Sequence, residues 1–295
     1  MKKIVAAGIQ ISVEPNNIPK NIEKCMEWYN KAVKEVKPDL IVFPETITTG
    51  FNPGMPVDQF YSLLPKNIND VLSHFVTMSS KTKSYCVVPT YQRGPKKNII
   101  YNSAFIIGPK EGVIGVYSKT HPFPLERLSG GGWTTQGYDI PVFDTAFGKI
   151  GMIICYDGDF PELSRILAIK GASVIARPSA LLRSYEIWEM TNMARAYDNH
   201  VYMVSVNAVG QDASKCYYFG HSMIVSPIAQ KLALGRGAEE IIFAELDPDP
   251  IKKITYGSNS PMLFDHLQDR NIKSYKNYLT KKAVSTFEPS KRIPY

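Results

Sequence analysis

The sequence predicts an α/β protein in which helices cover the faces of sheets. Short apolar runs rich in β-branched residues alternate with longer amphipathic stretches along the 295-residue chain, and this alternation is typical of that fold class. Most of the predicted strands are apolar throughout, as strands are when both faces of their sheet are buried. Ten such strands are many for one sheet, so we expect two packed sheets.

The individual elements follow from local patterns. In chain order, the predicted strands are 3–10, 39–45, 85–91, 103–108, 112–119, 149–157, 172–180, 200–210, 221–227 and 239–247. The predicted helices, which carry apolar residues at helical spacing, are 19–36, 66–82, 161–170 and 184–199. No glycine- or serine-rich linker divides the chain.

Composition argues against several classes of protein. The net charge is +7, but the basic residues are scattered, which is typical of a solvated surface. A protein that binds nucleic acid or an acidic surface stays open as a different class, and it requires basic residues clustered with exposed aromatic ones. No stretch approaches the roughly 20 apolar residues of a membrane span. We therefore expect neither a nucleic-acid nor a membrane partner.

The cysteines indicate the compartment. Cys25, Cys86, Cys155 and Cys216 show neither a CxxC pair nor a disulfide-like spacing, so a reducing, cytoplasmic location is expected. The opening run "KIVAAGIQ" is too short for a secretion signal and is interpreted as a strand. No zinc-like spacing occurs, and the glycine run "LSGGGW" lacks the lysine and following helix of a phosphate loop. No cofactor is therefore expected.

The stretch "KIGMIICYDGDFPELSR" brings a buried strand to a single cysteine, Cys155. Pro161 suits the first turn of the next helix, Asp159 is a candidate cap just before it, and Gly171 suits its end. Ligands of α/β proteins bind at the carboxyl ends of strands, and a helix N-terminus favours a thiolate. The alternative is a buried, inert thiol.

Two other strand ends carry complementary groups. Glu45 ends the strand 39–45, and Lys119 ends the strand 112–119, with Glu126 shortly after it. A thiol that attacks a carbonyl carbon needs a base, a cation or N–H groups for the oxyanion, and an acid for the departing amine. Glu45 can be the base and the acid, Lys119 the cation, and the backbone N–H of Tyr156 a second oxyanion donor.

Taken together, these motifs resemble the nitrilase superfamily of carbon–nitrogen hydrolases. The matches are "FPET", "YSKTHPFPLE", "GMIICYDGDFPELSR", "EIWEMTNMARAYDNHVYMVSVNAVG", "GHSMIVSP" and "IIFAELD". The resemblance implies a four-layer α-β-β-α sandwich, no metal, Cys155 as nucleophile, Glu45 as general base and Lys119 as the group that stabilises the tetrahedral intermediate. It further implies that Glu126 is the second glutamate, which holds the substrate amide and supports the geometry of Lys119 and Cys155. A single domain over residues 1–275 and a C-terminal tail at 276–295 are expected.

Residues that follow the strand ends are predicted to line the substrate pocket. They are Phe51, Asn52, Tyr156, Ser179, Ala180 and Leu181. The "CYDGDFPE" form resembles aliphatic amidases and formamidase, so hydrolysis of a small amide through a thioester is the leading hypothesis. An N-carbamoyl amidohydrolase, a nitrilase and a non-catalytic scaffold are the alternatives.

Two further expectations concern assembly and the polar residues near the site. The resemblance implies a homodimer or a larger homo-oligomer, to which the tail could contribute. Many family members carry arginine where this chain has Asp159, so Asp159 is expected to cap the helix, or else to meet a cationic substrate or a partner subunit. His121 and His221 are expected to make structural hydrogen bonds.

Overall fold

Two six-stranded sheets form the centre of the computed structural model, which describes residues 1–248 and 264–281. In chain order, the strands are β1 (Ile4–Gln10), β2 (Leu40–Val42), β3 (Tyr85–Arg93), β4 (Ile100–Gly108), β5 (Gly112–Ser118), β6 (Val142–Thr145), β7 (Gly148–Met152), β8 (Val174–Ser179), β9 (Tyr202–Asn207), β10 (Val209–Gln211), β11 (Tyr217–Phe219), β12 (Met223–Val225), β13 (Lys231–Leu234) and β14 (Glu240–Leu246). The helices are α1 (Ile18–Glu35), α2 (Val57–Leu63), α3 (Asn69–Thr82), α4 (Pro161–Ile169), α5 (Tyr185–Asn199) and α6 (Ile272–Tyr275).

The strand order places several carboxyl ends at the same edges. The first sheet has the order β14-β1-β2-β3-β4-β5 and the second has the order β13-β12-β9-β8-β7-β6. In the first, β1, β2 and β3 are parallel, and β5 runs in their direction because β4 is antiparallel to both neighbours. In the second, β7, β8 and β9 are parallel. The predicted pair of packed sheets is confirmed.

Alternation along the first sheet explains why both of its faces are buried. Leu40 and Val42 belong to the core that lies between the sheets. Ile41 and Phe43, the residues between and after them, belong to a second core that also contains residues of α1 and α3. Because successive side chains of a strand point to opposite faces, one apolar run fills both cores. This is the origin of the wholly apolar strands in the sequence.

Helices complete the four layers. α1 and α3 pack on the outer face of the first sheet, whereas α4 and α5 pack over the second. The α-β-β-α sandwich is therefore confirmed. α4 has Pro161 at its first position, and Gly171 follows its end with φ +92°, a left-handed conformation that favours glycine.

Two local predictions were wrong near the end of β7. The predicted strand 149–157 ends at Met152, and Cys155–Asp159 forms a 3-10 helix, so Cys155 lies on a turn beyond the strand. The cap position of α4 is occupied by Phe160, and no side chain caps that helix. Asp159 therefore does not cap α4, because its carboxylate is paired with arginines instead.

Several short elements were not predicted. They are α2, α6, β6, β11 and β13. The predicted strand 200–210 is divided into β9 and β10. Within the described residues, none of the helices is both long and apolar enough to cross a bilayer. Of the predicted tail, residues 282–295 lie outside the described part of the chain.

Candidate active site

Three charged side chains meet beyond the carboxyl ends of β2 and β5. The Nζ atom of Lys119 lies 2.7 Å from Oε1 of Glu45 and also donates to Oε1 of Glu126. All three side chains have no exposed surface. Charged groups are buried in this way only when they are paired and hydrogen-bonded, and removing one partner leaves an uncompensated buried charge. The structure thus brings together three of the four residues predicted to be catalytic.

Hydrogen bonds fix the carboxylate of Glu45 on both oxygens. Oε1 accepts from Nδ2 of Asn102 at 2.7 Å as well as from Lys119. Oε2 accepts from the backbone N–H of Ala180 at 2.8 Å, directly after β8 of the second sheet. Glu45 therefore joins the ends of the two sheets, and its orientation is set by groups from both.

Asn102 is a site residue that the sequence analysis missed. It lies on β4, is fully buried, and donates through Nδ2 to Glu45 and, at 3.4 Å, to Oε2 of Glu126. It therefore bridges the same two carboxylates that Lys119 bridges. The signal that could have found it is an amide side chain just before the apolar run 104–107, because buried polar groups need partners.

The glycine run "LSGGGW" has a structural role beside Glu126. The chain turns back so that the backbone N–H of Trp133 donates to the carbonyl of Glu126 at 3.0 Å. A Cβ on Gly132 would lie 2.4 Å from the carbonyl carbon of Glu126, so only glycine permits this approach. The backbone N–H of Phe123 donates to Oε1 of Glu126 at 2.8 Å. The run therefore holds Glu126 in place.

The cluster holds two carboxylates and one ammonium group. Burial acts to lower the pKa of Lys119, but Glu126, Glu45 and Cys155 outweigh it and hold that pKa above its ordinary value. Burial raises the pKa of Glu126, as does the negative charge of Glu45, while Lys119 opposes both effects. Lys119 thus stays cationic, whereas Glu126 takes up a proton more readily than an exposed glutamate.

Cys155 begins the 3-10 helix after β7 and is almost buried. The carboxylate of Asp157 secures its turn by accepting from the N–H of Ile154 at 2.8 Å. The same carboxylate accepts from the hydroxyl of Tyr117 at 2.7 Å and from the N–H of His121 at 2.9 Å. Asp157 therefore ties the cysteine turn to the segment around Lys119.

Four charged groups act on the thiol of Cys155. Burial raises its pKa to about 12, and Glu45 adds to that rise, while Lys119, Arg177 and Arg183 lower it. Burial is the largest of these effects, so the pKa of the thiol lies above its ordinary value although three cations oppose the rise. A base is therefore needed to take its proton, and Glu45 is the carboxylate whose charge reaches it.

A cavity of about 20 Å³ adjoins Cys155. Its lining consists of Phe51, Phe123, Cys155, Ala180, Leu181, Leu182 and Arg183. Three of the predicted pocket residues, Phe51, Ala180 and Leu181, therefore lie there. The wall is apolar apart from the thiol and one guanidinium.

The other three predicted pocket residues do not line this cavity. Tyr156 packs edge-on against Phe123 and Phe160, with ring centroids 5.2 and 5.1 Å away. The side chain of Asn52 turns back to accept from the N–H of Gly54 at 3.0 Å. Ser179 is fully buried at the end of β8. Position after a strand end predicted their neighbourhood but not the direction of their side chains.

Arg183, which the sequence analysis also missed, explains the unusual Asp159. Its guanidinium binds both carboxylate oxygens of Asp159, at 2.5 and 3.0 Å, and lies 5.4 Å from the ring centre of Tyr156.

The hydrogen bonds expected of His121 and His221 are present. His121 lies 3.2 Å from Asp157, and Nδ1 of His221 lies 2.9 Å from the carbonyl oxygen of Phe219.

Within residues 1–248 and 264–281, no group of three or more histidine, cysteine or carboxylate side chains could hold a metal ion. The side chains that the site brings together are two carboxylates and a lysine, and their charges act on the thiol of Cys155.

Comparison with known proteins shows the family of this chain. The sequence profile "Carbon-nitrogen hydrolase" matches residues 5–256. A probable nitrilase of Schizosaccharomyces pombe is 32% identical over 93% of this chain and 98% of its own length. Omega-amidase NIT3 of Saccharomyces cerevisiae is 32% identical over 85% of this chain and 89% of its own.

A solved structure shows the same fold. The crystal structure of a carbon-nitrogen hydrolase from Helicobacter pylori G27 superposes with a TM-score of 0.80 and 24% identity, over 95% of this chain and all of the other. With the profile match over most of the sequence, the chain belongs to the carbon-nitrogen hydrolase family, within the nitrilase superfamily, and is a hydrolase of C–N bonds.

Proposed function

We propose that this protein hydrolyses a small amide to a carboxylate and ammonia, with Cys155 as the nucleophile. The observation that carries the proposal is the buried Lys119, held between Glu45 and Glu126 and close enough to Cys155 for its charge to lower the pKa of the thiol. Such an arrangement of base, cation and thiol is what acyl transfer from an amide requires.

In the first half-reaction, Glu45 takes the proton of the Cys155 thiol as the sulfur bonds to the amide carbonyl carbon. The resulting oxyanion is stabilised by the ammonium group of Lys119 and the backbone N–H of Tyr156. Glu45 then returns the proton to the amide nitrogen, the C–N bond breaks, and ammonia leaves a thioester on Cys155. A protonated nitrogen is needed because the amide anion is a poor leaving group.

In the second half-reaction, water attacks the thioester. Glu45 takes a proton from the water as its oxygen bonds to the acyl carbon, and Lys119 again stabilises the oxyanion. The C–S bond breaks, the carboxylic acid is released, and the proton on Glu45 returns to the sulfur. No electrons are transferred to or from any other reagent.

Glu126 has a different role in this proposal, which is to orient the amide nitrogen and to hold Lys119. Its carboxylate is fixed by the N–H of Phe123 at 2.8 Å and by Lys119. Its raised pKa, caused first by burial, means that it can also donate a hydrogen bond when protonated. Glu45 keeps the proton-transfer role because its charge acts directly on the thiol.

The choice of an amide over a nitrile rests on the "CYDGDFPE" form of the cysteine motif. Relatives of equal identity carry the names probable nitrilase and omega-amidase, so similarity alone does not separate the two activities. An N-carbamoyl amidohydrolase is the remaining alternative on this fold.

Ammonia release from a panel of substrates tests the proposal. The panel should pair small primary amides with nitriles of the same carbon chain and add N-carbamoyl amino acids, with the Cys155→Ala protein as control. We expect acid and ammonia in equal amounts from one or more amides and far slower reaction of the matched nitriles. Robust hydrolysis of nitriles without turnover of any amide would contradict the assignment.

We also infer that the protein self-associates and acts in the cytoplasm. Support for association comes from the family resemblance and from apolar side chains left exposed on α4 and α5, including Ile169 and Met190. Light scattering at micromolar concentration should show a dimer or a larger assembly, and a monomer would contradict the inference.

A further inference from the structure

The backbone of Cys155 is in a conformation that cysteine rarely adopts. Its φ angle is +47°, in the left-handed region that favours glycine. Such a conformation costs about 1–2 kcal/mol for an ordinary residue and persists only where neighbouring groups impose it. The groups that bind the backbone of Cys155 must therefore hold it in this conformation.

Arg177 is the neighbour that binds this backbone. It lies on β8, has no exposed surface, and donates two hydrogen bonds to the carbonyl of Cys155, from Nε at 3.1 Å and from Nη2 at 2.8 Å. The remaining nitrogen, Nη1, donates to Thr191 and Asn192 on α5, both at 2.8 Å. The guanidinium thus fixes the cysteine carbonyl against a rigid strand and a helix.

The charge of Arg177 is only partly compensated. The carboxylate that the described residues bring nearest to it is that of Asp159, at 3.7 Å, and Asp159 binds Arg183 more closely. Burial lowers the pKa of Arg177 to about 10. A buried cation of this kind is a poor way to gain stability. Its charge, however, acts on Cys155 and favours the thiolate.

Gly158 makes room for this guanidinium. A Cβ on Gly158 would lie 2.0 Å from Cζ of Arg177, although the backbone of Gly158 is not in the left-handed region that excludes side chains. Glycine is therefore required here by the close approach of Arg177, and not by backbone conformation. Arg177 and Gly158, which are nineteen positions apart in the sequence, therefore pack together beside the turn at Cys155.

We propose that Arg177 is a positioning residue for Cys155, whose backbone carbonyl it holds. The positive charge of Arg177 also favours the thiolate of Cys155, and Gly158 leaves the space that the guanidinium occupies. The proposal rests on the proposed role of Cys155 as nucleophile. Arg177 itself touches no reacting atom. The charged groups that act on the thiol are Glu45, Lys119, Arg177 and Arg183, and Arg177 is the one bound to the cysteine backbone.

The test measures the reactivity of the thiol without any substrate. Methyl methanethiosulfonate is small and uncharged, and its attachment to Cys155 can be followed by mass spectrometry of the peptide. In Arg177→Met, a rise of one unit in thiol pKa would lower the thiolate fraction at pH 8 about tenfold. We expect the rate to fall about threefold, because the more basic thiolate is also the better nucleophile. For a cleaved amide, kcat should fall about 10²-fold with KM within threefold, since the substrate contacts remain.

Arg177→Lys separates charge from geometry. Lysine keeps the positive charge but lacks the planar fork that binds the carbonyl twice. We therefore expect near-normal reaction with methyl methanethiosulfonate but a kcat that stays at least tenfold low. Arg165→Lys is the matched control, because Arg165 also donates to two backbone carbonyls, those of His266 and Asp198. It should leave both readouts unchanged.

Gly158→Ala keeps the proposal testable if Arg177→Met does not fold. The added methyl group displaces the guanidinium and leaves every polar group in the chain, so both readouts should fall in the same direction as for Arg177→Met. Gly237→Ala is the control, because its Cβ would meet nothing closer than 3.5 Å. Folded Arg177→Met and Gly158→Ala proteins with unchanged thiol reactivity and kcat would overturn the proposal.

A purely structural role gives a different pattern. Activity would then follow the folded fraction, measured by circular dichroism, and thiol reactivity at pH 8 per folded molecule would not change. That result would also overturn the proposal. If the wild-type protein cleaves no amide, the proposed function fails, and the substrate-free thiol measurements still decide the role of Arg177.

Discussion

Two regions of this protein bury a cysteine completely or nearly so, and they treat it differently. Cys25 and Cys86 lie in the core that packs α1 and α3 on the first sheet, among apolar side chains. Cys155 lies where the ends of the two sheets meet, next to a lysine, two arginines and a carboxylate. Burial raises the thiol pKa in all three cases.

Burial and a raised pKa therefore do not identify a nucleophile in this protein. What distinguishes Cys155 is the surrounding charge, since three cations oppose the effect of burial and a carboxylate is placed to take the proton. Near Cys25, only the charge of Lys24 opposes burial, and near Cys86 the acting neighbour is Cys25, which raises the pKa further. Each region contains a cysteine, a lysine and an asparagine. The same substitution can therefore be made in both regions and its effects compared.

Replacement of the cysteines should show the largest difference. Cys155→Ala should lower amide turnover by about 10⁴-fold or more, because no other group can form the thioester. Cys86→Ala should keep turnover within a few-fold and lose about 1 kcal/mol of unfolding free energy, since it removes a small buried apolar group. Ammonia release and urea unfolding measure the two effects. Normal turnover in Cys155→Ala would end the covalent mechanism.

Replacement of one lysine in each region, Lys119 and Lys24, should show the next largest difference. Lys119→Ala should lower kcat by about 10²-fold or more through loss of an oxyanion donor, and should cost about 3–5 kcal/mol of stability because two buried carboxylates lose their counter-ion. Lys119→Arg should not restore kcat, since a planar fork does not replace a point charge. Lys24→Ala, which removes a partly exposed ion pair with Glu239, should change neither quantity appreciably.

If Lys119→Ala does not fold, its kcat cannot be measured. The kcat of Lys119→Arg is then compared with that of the wild type at a temperature at which both proteins are folded. A Lys119 variant that is folded and within a few-fold of wild-type kcat would remove Lys119 from the mechanism.

Two of the buried asparagines, one in each region, should show a smaller contrast. Asn102→Ala removes the donor to Glu45 and Glu126, so the base is less well oriented and kcat should fall about tenfold. Asn21→Ala removes a similarly buried amide next to the outer core, where it binds the carbonyls of Glu14 and Thr48. It should lower stability by about 1–3 kcal/mol and leave kcat unchanged. Equal effects on kcat would contradict the assignment of Asn102 to the site.

The smallest effect concerns backbone strain. Of the cysteines at 25, 86 and 155, only Cys155 has a positive φ angle. Cys155→Gly should therefore be about 1 kcal/mol more stable than Cys155→Ala, although both are inactive, because glycine adopts this conformation without strain. Thermal unfolding of the two proteins measures the difference. A glycine variant that is clearly less stable than the alanine variant would show that the turn is not strained.

The sequence predicted most of the site because its main residues follow apolar strands directly. Glu45 and Lys119 come one to three residues after β2 and β5, and Cys155 comes three residues after β7. Strand direction then places them at neighbouring edges of the sheets. The turn at Cys155 was predicted as strand because Ile153 and Ile154 are apolar, although they lie beyond the end of β7.

Asn102, Arg177 and Arg183 were missed for a different physical reason. Their importance depends on side chains that are distant in the sequence. Asn102 binds Glu45 and Glu126, Arg177 binds the carbonyl of Cys155, and Arg183 binds Asp159. A single sequence does not show which distant side chains meet in the fold. The missed elements of the fold have a related cause. α2 has seven residues, about two turns, which is too short to show a repeated apolar spacing. The edge strands β6 and β13 carry polar and exposed residues where the central strands are apolar.

The central claim is that Cys155, unlike Cys25 and Cys86, becomes acylated by an amide. The direct measurement is mass spectrometry of protein mixed with a cleaved amide, quenched in acid at short times and digested. We predict an added mass equal to the acyl group on the peptide that contains Cys155, appearing before steady state and absent from the peptides of Cys25 and Cys86. Release of acid and ammonia with the acyl group on another residue, or with none on Cys155 at any time, would contradict the account.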